Sequence, residues 1–334
     1  MDERSREFVE SSVGLLKAIG ETQILEYPGN QNQRSIDVAI RVAEKGSVIA
    51  KVAPDVTDVG KTERDELKRI SAAIGVNAFI VAETRHGQEL IEGVIYDVEG
   101  VKVINVNTIV NVIYGGEYPV IFEDKDGFKI KLDGNLLRAL RLRKGYSLGV
   151  AAERLHVSRK TIYDYEREVV RPTIEIAERI IEEFGEEVAK PIDIFNPDDD
   201  ILVARVSNIE GHPVDSGFER IVVERLRILG WKFTHARRAP LDIAASKGSS
   251  RVFLTIPHPH ENSRPIVERT ENMIKLAKAL SGSSYVVVTR EQKTEAERLV
   301  GGPDNVLTVE ELKELLGGQL DFKGSSDNRE TRYR

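Results

Sequence analysis

Apolar residues along the first third of the chain alternate between helical and strand-like spacings. A helical pattern ends at Gly20, and the runs after it follow the two-residue spacing of strands before a helical pattern returns. The runs are, in order, EFVESSVGLLKAIG, RSIDVAIRV, SVIAKVAP, ERDELKRISAAIG, AFIVAE and VKVINVNTIVNVI. This order predicts an N-terminal α/β domain over residues 1–116.

The same order of elements returns near the C-terminus. The runs are FERIVVERLRILG, APLDIAAS, RVFLTIPH, IVERTENMIKLAKALSG, SYVVVT and NVLTVEELKELLG. Matching positions lie 204 to 210 residues apart, namely Gly20 and Gly230, Asp37 and Asp242, Val48 and Val252, and Phe79 and Tyr285. So small a drift favours an internal repeat and predicts a second, similar α/β domain over residues 201–320.

The middle of the chain has a different pattern. Residues 133–195 are predicted to form four short helices, preceded by a hairpin connector over residues 117–132 with Asp126-Gly127 as its turn. The acidic run 196–200 is predicted to be a linker, and the polar residues 321–334 a disordered tail. The predicted fold class is therefore α/β plus all-α, with a central helical bundle between two similar α/β domains.

Composition narrows the class of protein. Of 334 residues, 40% are hydrophobic and 31% are charged, which is typical of a soluble globular protein with an ionic surface. The chain has no cysteine, so disulfides, thiolate zinc sites and cysteine nucleophiles are excluded. The charged N-terminus does not resemble a signal peptide, and no run approaches the roughly 18 apolar residues of a membrane span. We therefore expect a cytoplasmic protein without a membrane partner.

Positive charge is concentrated in the predicted helical bundle. The whole chain has a formal net charge of −7, which argues against a protein that coats nucleic acid indiscriminately. Between Gly134 and Pro172, however, nine basic residues stand against four acidic ones. A local basic face on an acidic chain is what a confined contact with phosphate groups requires.

The second and third helices of the bundle are joined by a short turn. Ser147 and Ser158 are the predicted N-caps of these two helices, and Arg159 and Lys160 begin the third. Two helices with so short a turn, the second starting with basic residues, are typical of a helix-turn-helix, in which the start of the second helix reaches the floor of the major groove.

The stretch YSLGVAAERLHVSRKTIYDYEREVVRPTIEIAERI resembles the Cro/C1-type (XRE) helix-turn-helix family. The family's recurring residues are matched by Tyr146-Ser147-Leu148, Ala152, Leu155-His156-Val157-Ser158, Thr161-Ile162, Glu166 and Pro172. Leu148 departs from the family pattern by replacing a polar residue that helps to hold DNA, and His156 and Glu168 replace frequent glycines. The whole chain also resembles a family of archaeal transcriptional regulators that place such a domain behind a long N-terminal domain.

The resemblance implies two kinds of DNA contact. Base edges in the major groove would be met by Arg159, Lys160, Tyr163 and Asp164. Phosphate groups would be met by Ser158, Arg167 and Arg171. The expected function is sequence-specific regulation of transcription on double-stranded DNA, and a homodimer formed through the flanking domains is expected because one such module contacts only a few base pairs. An effector or the transcription machinery could be further partners, and we expect no cofactor.

The flanking domains have the element order of the restriction-endonuclease-like fold. Asp37 and Lys51 lie where that fold places a carboxylate and the lysine of an acid-x-Lys motif, but Ile49 stands in place of the acid. The second copy keeps Asp242 and has Thr255 in place of the lysine. We therefore expect Asp37 and Asp242 to be structural, with a Mg²⁺-dependent nuclease or repair factor using Asp37 and Lys51 as the alternative. A DNA-tethered scaffold is a third hypothesis.

One further segment has residue types that can bind metals. IPHPHEN carries His258, His260 and Glu261, but alternate spacing after a strand more often places one imidazole inside and one outside. We therefore predict no metal site.

Overall fold

The structure is a computed structural model that describes residues 3–196, 198–199, 201–202, 206, 208–211, 216–257 and 263–317. Within these ranges no helix is both long and apolar enough to cross a membrane. The hypothetical metal ligands at residues 258–261 and the predicted tail 321–334 lie outside the described residues.

The N-terminal lobe is a mixed sheet flanked by helices. Its helices are α1 (Glu3–Ile19), α2 (Lys61–Ile74) and α3 (Val106–Tyr114). Its strands are β1 (Glu21–Ile24), β2 (Val38–Val42), β3 (Gly46–Val52), β4 (Asn77–Val81), β5 (Thr84–Arg85), β6 (Gln88–Glu89), β7 (Val94–Val98), β8 (Val101–Ile104), β9 (Ile121–Asp124) and β10 (Gly127–Ile130). Eight of them form one sheet in the order β1-β2-β3-β4-β8-β7-β9-β10, while β5 and β6 form a separate small hairpin.

The C-terminal lobe repeats the first half of this arrangement. Its elements are α8 (Gly217–Ile228), β11 (Lys232–His235), β12 (Ile243–Lys247), β13 (Ser250–Thr255), α9 (Ser263–Ala279), β14 (Ser283–Val288), α10 (Lys293–Leu299), β15 (Val306–Thr308) and α11 (Val309–Leu316). The strand order is β11-β12-β13-β14-β15. Along this order the pairs are antiparallel, antiparallel, parallel and parallel, the same sequence of pairings as β1-β2-β3-β4-β8.

Four short helices form the bundle between the lobes. They are α4 (Gly134–Arg143), α5 (Leu148–Arg154), α6 (Arg159–Glu166) and α7 (Ile174–Phe184). The side chains of Asp133, Ser147 and Ser158 cap α4, α5 and α6 by accepting hydrogen bonds from backbone N–H groups in the first turn. The apolar face of each helix packs into one core, so local signals place these helices where the sequence predicts them.

The predicted hairpin connector is an integral part of both neighbours. β9 pairs parallel with β7, which makes the hairpin the edge of the N-terminal sheet. On its other side, Ile130 is buried in the core of the bundle, and the N–H of Ile130 donates to the carbonyl of Pro172 at 3.1 Å. The bundle is therefore fixed to the N-terminal lobe through strands.

The segment after α7 also returns to the N-terminal lobe. Ile192, Ile194 and Phe195 are buried in that lobe's core, although the sequence pattern assigns them to the bundle. In the predicted acidic linker, Asp199 is buried and forms an ion pair with Lys131 at 2.7 Å. A buried salt bridge thus anchors this part of the linker to the hairpin.

The two lobes pack against each other reciprocally. The backbone N–H of Arg237 donates to Glu66 Oε2 on α2 at 2.8 Å, and the N–H of Glu26 donates to Asn272 Oδ1 on α9 at 2.7 Å. Each of these helices thus binds the loop that follows the first strand of the other lobe. Apolar residues of both lobes share one core, including Leu67 and Ile70 from α2 and Met273 and Leu276 from α9. Because the lobes share a core, we expect them to unfold together.

His156 adopts a left-handed backbone conformation in the turn between α5 and α6. Its φ of 55° is in the region where residues with a β-carbon are strained and glycine is not. Replacing His156 with glycine is therefore expected to stabilise the bundle by about 0.5–1 kcal/mol. Hydrogen exchange of the amides in α5 and α6 measures this gain. His156→Ala is the matched control, since it keeps the β-carbon, and an equal gain in that variant would contradict the prediction.

Candidate nucleic-acid interface

The start of α6 presents a row of polar side chains to solvent. Ser158 Oγ accepts a hydrogen bond from the N–H of Thr161 at 3.0 Å, which places Arg159 and Lys160 in the first turn of the helix. Tyr163 and Arg167 follow Arg159 at four-residue intervals. These three side chains and that of Lys160 are exposed. Residues four apart lie on one helix face, so the row forms a continuous surface.

Contacts within this surface partly orient its side chains. Lys160 Nζ forms an ion pair with Asp164 Oδ2 at 2.7 Å, and the Arg167 guanidinium lies 5.3 Å from the centre of the Tyr163 ring. The Arg159 guanidinium extends back over α5, so close that a β-carbon at Gly149 would lie 2.9 Å from its Nε atom. Gly149 thus leaves the space that the Arg159 side chain occupies.

Arg171 lies apart from this row, in the segment that leads to α7. Its guanidinium is 5.8 Å from the centre of the Phe122 ring on β9. Six of the seven sequence-predicted DNA contacts are therefore brought together at α6, while Arg171 is placed beside the hairpin that fixes the bundle to the N-terminal lobe.

The count of basic residues in the sequence overstates the charge that the bundle presents. Arg141 is buried against Glu166, and Lys144 and Arg154 both pair with Glu183, at 3.0 and 3.2 Å. These pairs join residues 25 to 39 positions apart, and no local pattern in the sequence indicates them. The remaining basic side chains on α6 and beside it are the better guide to phosphate contacts.

The Lys160–Asp164 pair places one negative charge on the candidate DNA face. Replacing Asp164 with asparagine removes that charge and frees Lys160, so the affinity for DNA of any sequence is expected to rise roughly tenfold at low salt, with a steeper salt dependence. Fluorescence anisotropy with a labelled duplex at several salt concentrations measures both. An unchanged salt dependence would show that residue 164 does not face the DNA.

The nuclease-like residues of the N-terminal lobe are brought together but closed off. Asp37 Oδ2 accepts from Lys51 Nζ at 3.0 Å and from the N–H of Val52 at 2.9 Å, and Asp37 Oδ1 lies 3.4 Å from Arg34 Nη1. Ile49, at the position of the missing acid, is buried in the core. Burial raises the pKa of Asp37 and lowers that of Lys51, and the attraction between the two charges opposes both shifts.

The C-terminal lobe covers this cluster. Arg238 Nη1 pairs with Glu63 on α2 at 2.8 Å, and its carbonyl accepts from the N–H of Ser35 at 2.8 Å, two residues from Asp37. Asp37 and Lys51 are each only 3% exposed. Among the described residues there is no group of three or more side chains with metal-ligating chemistry.

The second copy has a similar arrangement with a different cation. Asp242 Oδ2 accepts from the N–H of Ile256 at 2.6 Å, as Asp37 does from Val52, while Arg269 pairs with Asp242 Oδ1 at 3.1 Å. Thr255, at the position of the lysine, is buried and contacts the Met273 sulfur. Each aspartate thus joins neighbouring strands by a backbone hydrogen bond and carries a cationic partner.

Two parts of the chain match models of known families. Residues 5–119 match the model of a PD-(D/E)XK superfamily domain, and residues 137–190 match a helix-turn-helix model. These matches confirm the predicted helix-turn-helix and the endonuclease-like character of the N-terminal lobe.

Relatives with similar overall length carry one kind of name. A "Putative HTH-type transcriptional regulatory protein" from Aeropyrum pernix is 33% identical over 276 residues, which are 81% of this chain and 82% of that protein. Proteins named in the same way from Pyrococcus furiosus and Methanocaldococcus jannaschii are 30% and 28% identical, over 76% and 82% of this chain and 80% and 84% of their own lengths. No solved structure matches the chain.

Proposed function

Because the chain belongs to this family of archaeal HTH-type transcriptional regulatory proteins, we propose that it reads double-stranded DNA with α6 in the major groove. The observation that carries the proposal is the capped start of α6, where Arg159, Lys160 and Tyr163 are exposed on one continuous face. A helix start of this kind is the part of a helix-turn-helix that meets base edges.

The side chains of α6 would divide the work of recognition. Arg159, Lys160 and Tyr163 would contact bases, with Asp164 holding Lys160 in place through its ion pair. An arginine bound to guanine through two hydrogen bonds contributes about 1–3 kcal/mol of discrimination against the wrong base. The remaining three, Ser158, Arg167 and Arg171, would contact phosphates and fix the orientation of the helix.

The lobes would support this domain and not cleave DNA. The reciprocal hydrogen bonds at Glu66 and Asn272 support a repeat, since these residues are 206 positions apart, the same separation as Phe79 and Tyr285. We propose domains over residues 1–116, 133–195 and 201–320, with Ile192, Ile194 and Phe195 packed into the N-terminal lobe and the hairpin shared between that lobe and the bundle. In this arrangement α2 and α9 already pack against the opposite lobe of the same chain.

The active regulator would be a homodimer that uses other surfaces of the lobes. Two helix-turn-helix domains on half-sites about 34 Å apart supply the specificity that one lacks. Light scattering after size exclusion, with and without DNA, measures the oligomeric state. A single chain on a single half-site at every concentration would contradict the dimer while leaving the role of α6 intact.

Selection of bound fragments from a random duplex pool at fixed salt tests the proposal. We expect the wild type to enrich one sequence, and the Arg159→Ala, Lys160→Ala double variant to lose roughly 10- to 100-fold in affinity for it. The matched control is Lys144→Ala, Arg154→Ala, which removes the same charge from two side chains that share Glu183 as their partner.

Two outcomes would overturn the proposal. Equal losses in both double variants would mean that charge alone, and not α6, governs binding. If the wild type enriches no sequence, the scaffold hypothesis is favoured, since the helix-turn-helix would then act only as an anchor.

A further inference from the structure

A polar cleft lies beside the tip of the β9–β10 hairpin, which forms the edge of the N-terminal sheet and carries the helix-turn-helix. It has a volume of about 990 Å³ and is lined by the β5–β6 turn, the β7–β8 turn, residues 56–57, Arg64 on α2 and the tip of the β9–β10 hairpin. This volume suits a small organic molecule or ion with its water. Hydrogen bonds from the N–H groups of His86 and Gly87 to Asp55, at 3.2 and 2.8 Å, hold one wall in place.

The carboxylates that line the cleft are all neutralised. Each of the four forms an ion pair with a neighbouring cation. The pairs are Asp97 with Lys102, Glu99 with Arg64 at 3.0 Å, Glu123 with Arg85 at 2.8 Å and Asp124 with Lys129 at 3.0 Å. A cationic ligand would therefore have to displace an existing partner.

Several donors in the same cleft have no acceptor. Among the described residues, the Lys125 ammonium group and the His86 imidazole form no ion pair or hydrogen bond. The Arg64 guanidinium also lines the cleft, and its partner there, Glu99, is an exposed side chain whose place an anion can take. The groups of the cleft that an incoming ligand can bind are thus hydrogen-bond donors, and two of them, Lys125 and Arg64, carry positive charge.

The cleft is also placed to influence the DNA-binding domain. Its walls include Glu123, Asp124 and Lys125 at the tip of a hairpin whose second strand contributes Ile130 to the core of the bundle. Arg85 binds this hairpin to the lobe through Glu123. A ligand that bridges Lys125 and Arg64 would tie the tip of this hairpin to α2 and would bias the position of the hairpin and of the bundle that it carries.

We propose that this cleft binds a small dianion, a dicarboxylate or a free phosphate group, between Arg64, His86 and Lys125, and that the bound anion alters the affinity of α6 for DNA. Binding itself is independent of the proposed function, whereas the effect on DNA rests on it. Charge-assisted hydrogen bonds from guanidinium and ammonium groups are the usual way in which proteins hold such anions.

The first experiment titrates the full chain with inorganic phosphate and, separately, with succinate by calorimetry at constant ionic strength. We expect saturable binding of at least one probe below about 10 mM. The double variant Lys125→Gln, His86→Asn should weaken it by roughly tenfold or more. Asparagine suits the left-handed backbone of residue 86, whose φ is 52°. Lys232→Gln, an exposed lysine of the other lobe, is the control.

The second experiment measures DNA affinity with and without the binding probe. We expect a change of about fivefold or more in the wild type and none in the double variant. If neither phosphate nor succinate binds saturably, or if Lys232→Gln loses as much affinity for the probe as the double variant does, the site is overturned. Binding without a change in DNA affinity overturns the coupling. If the double variant loses DNA affinity when no probe is present, the donors contact the DNA backbone instead and the proposal is wrong.

Discussion

Replacing Glu166 with alanine is expected to lower the free energy of opening of the helix-turn-helix by about 3–5 kcal/mol. The Glu166 carboxylate binds Arg141 through two hydrogen bonds, one from Nε and one from Nη2 at 3.0 Å, and both side chains are less than a tenth exposed. Arg141 also donates to the carbonyl of Tyr146 at 2.8 Å, so the pair joins α4, the following turn and α6. Without the carboxylate, a buried guanidinium would lose its counter-charge.

Hydrogen exchange of the amides in α4, α5 and α6 measures this loss directly. Protection is expected to fall by about two to three and a half orders of magnitude. Glu178→Ala, on the exposed face of α7, is the control and should be nearly neutral. In an Arg141→Met, Glu166→Leu variant, which removes both charges, most of the protection should return. Equal effects of Glu166→Ala and Glu178→Ala would show that the buried pair contributes little.

The helix-turn-helix could be located from sequence because its signals are local. Three of its four helices begin at a residue whose side chain caps them, and α4 is followed by Gly145, whose φ of 72° suits glycine. Apolar spacing then identifies the buried face of each helix. Caps, turns and spacing act within a few residues, so one sequence suffices to place α6 and the exposed residues at its start.

Other features depend on distant parts of the chain and could not be predicted. The short strands β1 and β11 have sequences ETQI and KFTH, which lack the apolar alternation of a strand, and they form because β2 and β12 offer edges to pair with. The sequence predicts the hairpin only as a connector because its pairing partner, β7, lies more than 20 residues earlier. Likewise, only the fold brings Glu66 of one lobe to Arg237 of the other.

The Asp37–Lys51 pair shows how far sequence can decide between two functions. Spacing alone indicates a nuclease-like order of residues with one acid missing, and it leaves open whether Glu7 or Glu10 on α1 supplies the missing ligand. Both of these glutamates are exposed, whereas Glu63 on α2 is close enough to interact with Lys51 and yet pairs with Arg238 from the C-terminal lobe. Packing of that lobe over the cluster is a tertiary feature, and it favours a structural role for Asp37.

Replacing Asp37 with alanine is therefore expected to destabilise the N-terminal lobe by about 3–5 kcal/mol, since Lys51 and Arg34 would remain buried without a carboxylate. Urea unfolding and hydrogen exchange in β2, β3 and β4 measure the loss. Asp126→Ala, which removes an exposed partner of Lys129, is the control and should cost less than about 1 kcal/mol.

The same variant separates a structural carboxylate from a catalytic one. A structural Asp37 predicts that the wild type does not cleave supercoiled DNA with Mg²⁺, and that Asp37→Leu, Lys51→Met recovers much of the stability lost in Asp37→Ala. If Asp37 instead held a catalytic metal, the wild type would cleave DNA and removal of the carboxylate would abolish cleavage at little cost in stability. Mg²⁺-dependent cleavage by the wild type, abolished in Asp37→Ala while the amides of β2 to β4 remain protected, would establish the nuclease instead.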